Sequence, residues 1–227
     1  MGDQIRQRTG QLKMRGVADI VFCFDCTYSM EYIIKTVRDG VNNFVNSFQD
    51  SLEVLDWRAR AMGYRDFEVD EEYLINDKPF VTTAQDLKDQ IESLEAKEDT
   101  GGDPPESTLD AIWYAAKKTE WRDQCHKIVI VFTDETSKGV DEKTLNDIPG
   151  SDDDIEVLAT ELEVDHIKLF LWGKRDPLYD ALGKIPKADI VQLDNPEEDY
   201  KKMDFKNVLA QIGKTISQMI SEDVVTK

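Results

Sequence analysis

The sequence is poor in the residues from which zinc sites and disulfide frameworks are built. Its 227 residues include three cysteines and two histidines. Cys23 and Cys26 have the C-x-x-C spacing of a zinc or redox pair, but no second pair follows. We therefore interpret them as buried structural thiols in a protein of a reducing compartment. We expect no catalytic or zinc-binding role for His126 or His166.

Long apolar runs are also missing from this sequence. No stretch approaches the ~18 apolar residues that a membrane-spanning helix needs. Residues 1–15 are polar and lack the apolar core of a signal peptide. We therefore expect no membrane segment and predict a cytoplasmic location.

Basic residues are scarce relative to acidic ones. Lys and Arg number 28 against 47 Asp and Glu, which gives a formal net charge of −19. Because phosphate contacts need a basic patch and none is visible, we do not expect nucleic-acid binding. The charge is compatible with divalent cations and with a basic protein partner. A self-repelling acidic surface that keeps the protein in solution explains it as well.

One short apolar run ends in a series of oxygen-bearing side chains. Residues 20–24 carry no charge, which is typical of a strand buried on both faces. Asp25, Thr27 and Ser29 follow at alternate positions and place hard oxygen ligands at the carboxyl end of this strand. Such ligands suit Mg²⁺ or Mn²⁺ rather than zinc.

Strands and helices alternate along the chain. Apolar residues at steps of three and four predict a long helix over about 29–50. Two prolines in a first turn predict another helix over about 104–119, and residues 79–81 are predicted to form a short edge strand. The alternation predicts an α/β fold, a doubly wound and mostly parallel central sheet with helices on both faces.

Acidic residues recur where the predicted strands and loops end. Asp66 follows a second predicted strand, Asp103 follows two glycines, and Asp134 ends a further apolar strand. Ligands of doubly wound sheets bind beyond the carboxyl ends of the strands. We therefore expect these three acids to collect with Asp25 at one edge of the sheet.

The segment Asp25-x-Thr27-x-Ser29 resembles the metal-ion-dependent adhesion site (MIDAS) of von Willebrand factor type A (VWA) domains, which is usually Asp-x-Ser-x-Ser. Further matching segments follow in the family's order: Gly63-Tyr64-Arg65-Asp66, Gly101-Gly102-Asp103-x-Pro105-Glu106 and Phe132-Thr133-Asp134. They look like those of the intracellular branch of the family, such as the domains attached to alpha-kinases. We expect a lead-in over residues 1–17 and one VWA-like domain over 18–222.

The resemblance implies a metal site with a binding function. Asp25 and Asp134 would hold the ion, often through water, and one coordination position would stay free for a carboxylate of a partner protein. We expect a scaffold or a regulatory subunit of a larger complex that binds Mg²⁺ (or Mn²⁺ or Ca²⁺) and a protein of unknown identity. The expected metal ligands are Asp25, Thr27, Ser29, Asp103 and Asp134.

The second loop departs from the family pattern. Adhesive members use a threonine hydroxyl there, whereas this sequence offers Asp103 and Glu106, and a hydroxyl of Thr100 or Ser107 only if the loop is displaced. Three acids around a +2 ion would hold the metal more firmly and attract an acidic partner less. We therefore hypothesise that the metal is mainly structural, or that the partner supplies a neutral or basic group.

Several local and functional alternatives remain open. The spacing of Asp103 and Glu106 also fits a helix capping box, which would account for both acids without a metal. Asp66 could pair with Arg65 or another base. Several carboxylates around Mg²⁺ could activate water, as in a phosphohydrolase. The sequence suggests no nucleophile–base pair and has no P-loop pattern, so we expect a binding domain rather than an enzyme.

Overall fold

Six strands form one sheet in the computed structural model, which describes residues 16–49, 55–66, 74–75, 77–94, 96, 105–140 and 154–225. In chain order they are β1 (Gly16–Asp25), β2 (Leu55–Tyr64), β3 (Leu74–Ile75), β4 (His126–Phe132), β5 (Lys168–Lys174) and β6 (Ala188–Leu193). The spatial order is β3-β2-β1-β4-β5-β6. Five strands are parallel, and the short β3 is antiparallel to β2. The predicted doubly wound α/β fold is confirmed.

Seven described helices flank this sheet. They are α1 (Glu31–Gln49), α2 (Ala84–Glu92), α3 (Thr108–Lys117), α4 (Asp154–Val164), α5 (Pro177–Leu182), α6 (Pro196–Lys202) and α7 (Phe205–Val225). A single 3₁₀ turn, Tyr28–Met30, leads into α1. None of the helices in the described ranges has both the length and the apolar composition needed to cross a bilayer.

The central strand β1 is apolar because both of its faces are buried. Phe22 and Phe24 face the layer formed by α1, α2 and α7. Val21 and Cys23 face the opposite layer, formed by α3, α4 and α5. Side chains alternate between the two faces of a strand, so a strand covered on both sides needs apolar residues at successive positions. The core therefore has two halves, one on each side of the sheet.

The strand register brings three carboxyl ends to one edge of the sheet. In β1, Asp25 lies opposite Tyr64 of β2, and Phe24 lies opposite Phe132 of β4. The residues that directly follow β2 and β4 therefore come close to Asp25. This is the edge at which ligands of doubly wound sheets bind.

Two local predictions differ from the structure. Helix α3 begins at Thr108, later than the predicted start near 104. The predicted edge strand over residues 79–81 is reduced to one antiparallel bridge between Val81 and Ala59. A proline cannot donate a ladder hydrogen bond, which limits pairing in this segment. The division into a lead-in over 1–17 and a domain over 18–222 stays a prediction, and residues 1–15 lie outside the described residues.

Candidate metal centre

The fully buried Asp25 carboxylate is the centre of the site. Thr27 donates two hydrogen bonds to its Oδ1, from the backbone N–H at 2.9 Å and from the hydroxyl at 2.7 Å. Thr133 donates a third to Oδ2 through its hydroxyl, at 3.0 Å. These bonds favour the ionised carboxylate, but burial and the nearby charge of Asp134 outweigh them and raise the pKa of Asp25 to about 7. A cation at this position would stabilise the ionised form.

Ser29 and Asp134 meet beside Asp25. The 3₁₀ turn places the Ser29 hydroxyl 3.5 Å from Oγ1 of Thr27 and close to the Asp134 carboxylate. Burial raises the pKa of Asp134, and the nearby Ser29 hydroxyl offsets only part of that rise. Its Oδ1 atom is buried and has no hydrogen-bond partner among the described residues. A buried carboxylate oxygen without a partner, close to a hydroxyl and to a second carboxylate, is a group that a divalent cation would satisfy.

Glu106 is a buried acid that is not a helix cap. It lies before α3, whose N-cap is Ser107, so the capping-box interpretation is wrong for this residue. Its backbone instead forms a bridge with the segment around Ser137. Glu106 Oε2 is buried without a partner among the described residues. Burial, together with the charges of the three neighbouring aspartates, raises the pKa of Glu106 to about 8; these neighbours are Asp25, Asp66 and Asp134.

Asp66 is held by a lysine that the sequence did not point to. Lys138 Nζ lies 2.7 Å from Oδ1 and 2.8 Å from Oδ2 of Asp66, whose side chain is buried. Asp66 therefore pairs with Lys138 rather than with its neighbour Arg65. Since 72 residues separate the two partners, no sequence pattern could have paired them.

The structure brings together four of the five predicted ligands: Asp25, Thr27, Ser29 and Asp134. Asp103 lies outside the described residues. Within the described ranges, no three Asp, Glu, His or Cys side chains approach closely enough to hold a metal by themselves. A cation at this edge would therefore need the hydroxyls of Thr27 and Ser29 in addition to carboxylates. That mixed oxygen donor set is the one expected for a hard cation.

Cysteine and histidine contribute little to this edge. Cys23 and Cys26 are buried free thiols that face opposite halves of the core, which confirms their structural interpretation. Burial raises the pKa of both thiols, that of Cys23 to about 12. His126 begins β4 and His166 precedes β5, so both lie at the amino ends of strands, opposite the edge that carries Asp25.

A sequence model of the von Willebrand factor type A domain matches residues 19–219, nearly the whole chain. The chain belongs to the VWA family. Domains of this family are usually non-catalytic, they bind protein ligands, and their MIDAS motifs bind divalent metals. No protein with a curated description matches the chain significantly.

Solved structures share this VWA fold at low sequence identity. One is proximal thread matrix protein 1 from the mussel byssus, with a zinc-occupied MIDAS motif, at 16% identity and a TM-score of 0.57. The match covers 88% of this chain and 46% of the mussel protein. Another is the pilus adhesin SpaC from Lactobacillus rhamnosus GG, at 14% identity and a TM-score of 0.58. This match covers 92% of this chain and 32% of the adhesin. This chain thus spans less than half of either neighbour, and the likeness shows the fold.

Proposed function

We propose that this VWA domain binds one divalent cation at the edge formed by Asp25, Thr27, Ser29 and Asp134, and that a partner protein docks there. The proposal is carried by Asp134 Oδ1, which is buried without a partner among the described residues, on a side chain that lies close to the Ser29 hydroxyl and the Asp25 carboxylate. Leaving such an oxygen unsatisfied costs about 1–3 kcal/mol or more. A bound cation removes that cost and neutralises the repulsion between Asp25 and Asp134.

Asp103 stays in the proposed ligand set as the fifth residue. Glu106 interacts electrostatically with both Asp25 and Asp134, and it would add a further negative charge close to the ion once the bound cation favours its ionised form. We propose that Glu106 strengthens cation binding through its charge, without being a ligand. This agrees with the argument from the sequence that additional acids in the second loop would hold the metal more firmly.

The proposed ion is Mg²⁺, with Mn²⁺ and Ca²⁺ as alternatives. Carboxylates and hydroxyls are hard oxygen ligands, which these ions prefer. Since the mussel protein carries zinc in its MIDAS motif, Zn²⁺ belongs in any panel of ions that is tested.

The proposed setting is the cytoplasm, with the domain acting as a scaffold or a regulatory subunit. Support comes from the buried free cysteines and from the sequence resemblance to the intracellular, alpha-kinase-associated branch. The family match and the structural neighbours do not distinguish that branch from others.

Affinity capture from the native host tests the docking function. Wild-type protein and Asp25→Asn serve as baits, each in Mg²⁺ and in EDTA, and bound proteins are identified by mass spectrometry. Asp123→Asn, at an exposed acid that precedes β4, is the matched control for the change in net charge. We expect a stoichiometric partner on wild type and Asp123→Asn in Mg²⁺, and its loss in EDTA and on Asp25→Asn. A partner that is retained on Asp25→Asn would contradict metal-dependent docking.

Competition experiments then separate the two kinds of partner contact. A partner that supplies a carboxylate to the metal should be displaced by free glutamate. Strong competition would contradict the hypothesis that the partner supplies a neutral or basic group, whereas undiminished binding would support it.

A further inference from the structure

A groove of about 660 Å³ opens beside the proposed metal site. Its lining includes Ser29 and Asp134, which belong to that site. On one side of it lie Tyr28 in the 3₁₀ turn and Tyr32 at the start of α1, and on the other side lies the first turn of α6, which begins at Pro196. We call this feature the tyrosine groove. A protein segment that approaches the metal would pass over it.

The two tyrosine rings are unusually open to solvent. Tyr28 is 54% exposed and Tyr32 is 47% exposed. Among the described residues, the other large hydrophobic side chains with comparable exposure are Val164 and Val191, and neither lines the groove. Tyrosine offers a large, rigid, amphipathic surface, and it is enriched at protein interfaces. The rings therefore favour a docking role for this surface.

Acidic groups outnumber basic groups along the groove. Two lysines line it, and both are engaged: Lys174 pairs with Glu135 at 2.8 Å and Lys201 pairs with Glu197 at 2.6 Å. Outside the metal site, the described residues of the lining carry four carboxylates, those of Glu31, Glu135, Asp194 and Glu197. An incoming anion would have to break one of the lysine pairs, whereas an incoming cation would meet two carboxylates, Glu31 and Asp194, that neither of these lysines pairs.

Glu31 and Asp194 are held by weak surface pairs with bases outside the lining of the groove. Glu31 pairs with Lys35 at 2.5 Å and Asp194 pairs with Arg175 at 2.8 Å, in both cases with exposed side chains. Exposed ion pairs of this kind contribute little to stability and exchange readily. These carboxylates can therefore turn to an incoming cation at small cost.

We infer that the tyrosine groove binds an arginine side chain of the partner protein, next to the partner residue that reaches the metal. This inference rests on the proposed function, because the groove shares Ser29 and Asp134 with the metal site. A planar guanidinium stacks on a tyrosine ring and bridges carboxylates, which a lysine ammonium does less well. The net charge of −19 also attracts basic segments to the surface.

Fluorescence anisotropy with matched peptides tests the inference. The probe is a fluorescein-labelled peptide with one aspartate between two arginines. A second peptide carries citrulline, which has nearly the same shape without the charge, in place of each arginine. A third carries glutamate there. Each is titrated in Mg²⁺ and in EDTA at physiological salt, against wild type, the double variant Tyr28→Ala/Tyr32→Ala and the control Val164→Ala, a similarly exposed residue away from the groove.

We expect the arginine peptide to bind wild type at least roughly fivefold more tightly than the citrulline peptide, and the double variant to lose about that factor. The tyrosine changes leave the net charge untouched, so general attraction to the acidic surface is the same in both proteins. Val164→Ala should bind like wild type.

Three results would overturn the inference: no binding of the arginine peptide, equal affinities for the arginine and citrulline peptides, or unchanged arginine-peptide affinity in the double variant. Tighter binding of the glutamate peptide would overturn it as well, because the groove would then accept an anion. Calorimetric titration with Mg²⁺ distinguishes a failure of the arginine inference from a failure of the proposed metal-binding function. The double variant should keep wild-type Mg²⁺ affinity. A wild-type protein that binds no Mg²⁺ would contradict the metal site. The peptide titrations in EDTA would then still show whether the tyrosine groove prefers the arginine peptide to the citrulline peptide.

Discussion

Thr133 donates a 3.0 Å hydrogen bond to Asp25 Oδ2, although 108 residues separate the two in the sequence. The pairing of β1 with β4 places them side by side at the ends of adjacent strands. The same threonine oxygen accepts a hydrogen bond from the backbone N–H of Glu135 at 3.3 Å. Thr133 thus ties the loop that carries Asp134 to the carboxylate at the centre of the site.

Thr133→Val should destabilise the protein, because it nearly keeps the side-chain shape and removes the hydroxyl donor from a buried carboxylate. We expect the free energy of unfolding in EDTA at pH 7.5 to fall by about 1–2 kcal/mol, measured by urea denaturation. Thr215→Val is the control, since that hydroxyl is exposed and bonds the carbonyl of Gln211 within the same helix. Equal losses in the two variants would contradict the role given to Thr133.

The metal-free protein should lose stability as the pH rises toward 8. Burial, with neighbouring negative charges, raises the pKa of Asp25 to about 7 and that of Glu106 to about 8. The unfolded chain ionises such groups near pH 4. The stability that these groups contribute is therefore complete below about pH 4, falls as the pH rises, and is lost once the pH has passed about 7 for Asp25 and about 8 for Glu106.

Urea denaturation in EDTA between pH 5 and pH 8 measures this slope, which should be roughly 1 kcal/mol per pH unit from Asp25. Glu106→Gln should flatten the part of the slope near pH 8. Saturating Mg²⁺ should reverse the loss, since the cation binds the ionised carboxylates. A stability in EDTA that rises from pH 5 to pH 8 would show that the two acids are ionised throughout and would contradict the account.

Lys138→Met should be strongly destabilising, because it leaves the buried Asp66 carboxylate without the ammonium that contacts both of its oxygens. We expect a loss of about 3–5 kcal/mol in chemical denaturation. The double variant Asp66→Asn/Lys138→Met should recover part of it. Lys202→Met, which removes an exposed pair with Glu198, should cost less than about 0.5 kcal/mol. Similar costs for the two lysine variants would be incompatible with a buried pair.

Gly213→Ala tests the contact between α1 and α7. A Cβ atom at Gly213 would lie 3.0 Å from the carbonyl oxygen of Phe44 and would collide with the side chain of Ser47. Replacing glycine by alanine within a helix normally stabilises it by up to ~1 kcal/mol. A loss of stability in Gly213→Ala would therefore be due to the clash. We expect a loss of about 1–3 kcal/mol in thermal unfolding. Gly183→Ala, where the nearest atom is 3.4 Å away, should be tolerated, and equal effects would contradict the close packing.

The central strands and the candidate metal ligands that follow them could be predicted, because the sequence signals for both are local. Residues 20–24 form an unbroken apolar run, and Asp25, Thr27 and Ser29 directly follow it. The rules of parallel sheets then place Asp134 at the same edge. The second predicted strand, which Asp66 follows, is observed as β2 from Leu55 to Tyr64.

Features that depend on long-range contacts could not be predicted in this way. No pattern in the sequence around Lys138 or Asp66 indicates that the two residues form a pair. The capping-box spacing placed Glu106 inside a helix, whereas its backbone bonds to residues 136 and 138 hold it before α3. Helices α5 and α6 have six and seven residues, too few to show a periodic pattern. Their only local signals are Asp176-Pro177 and Asn195-Pro196, a cap residue followed by proline.

The most direct test of the central claim is calorimetric titration of EDTA-treated protein with Mg²⁺ and Mn²⁺, in parallel with Asp25→Asn and the charge-matched Asp123→Asn. We predict saturable one-site binding to wild type and Asp123→Asn, and its loss in Asp25→Asn, because the buried carboxylate supplies the charge at the centre of the site. Saturable binding that survives in Asp25→Asn, or no saturable binding to wild type, would contradict a metal centre at Asp25.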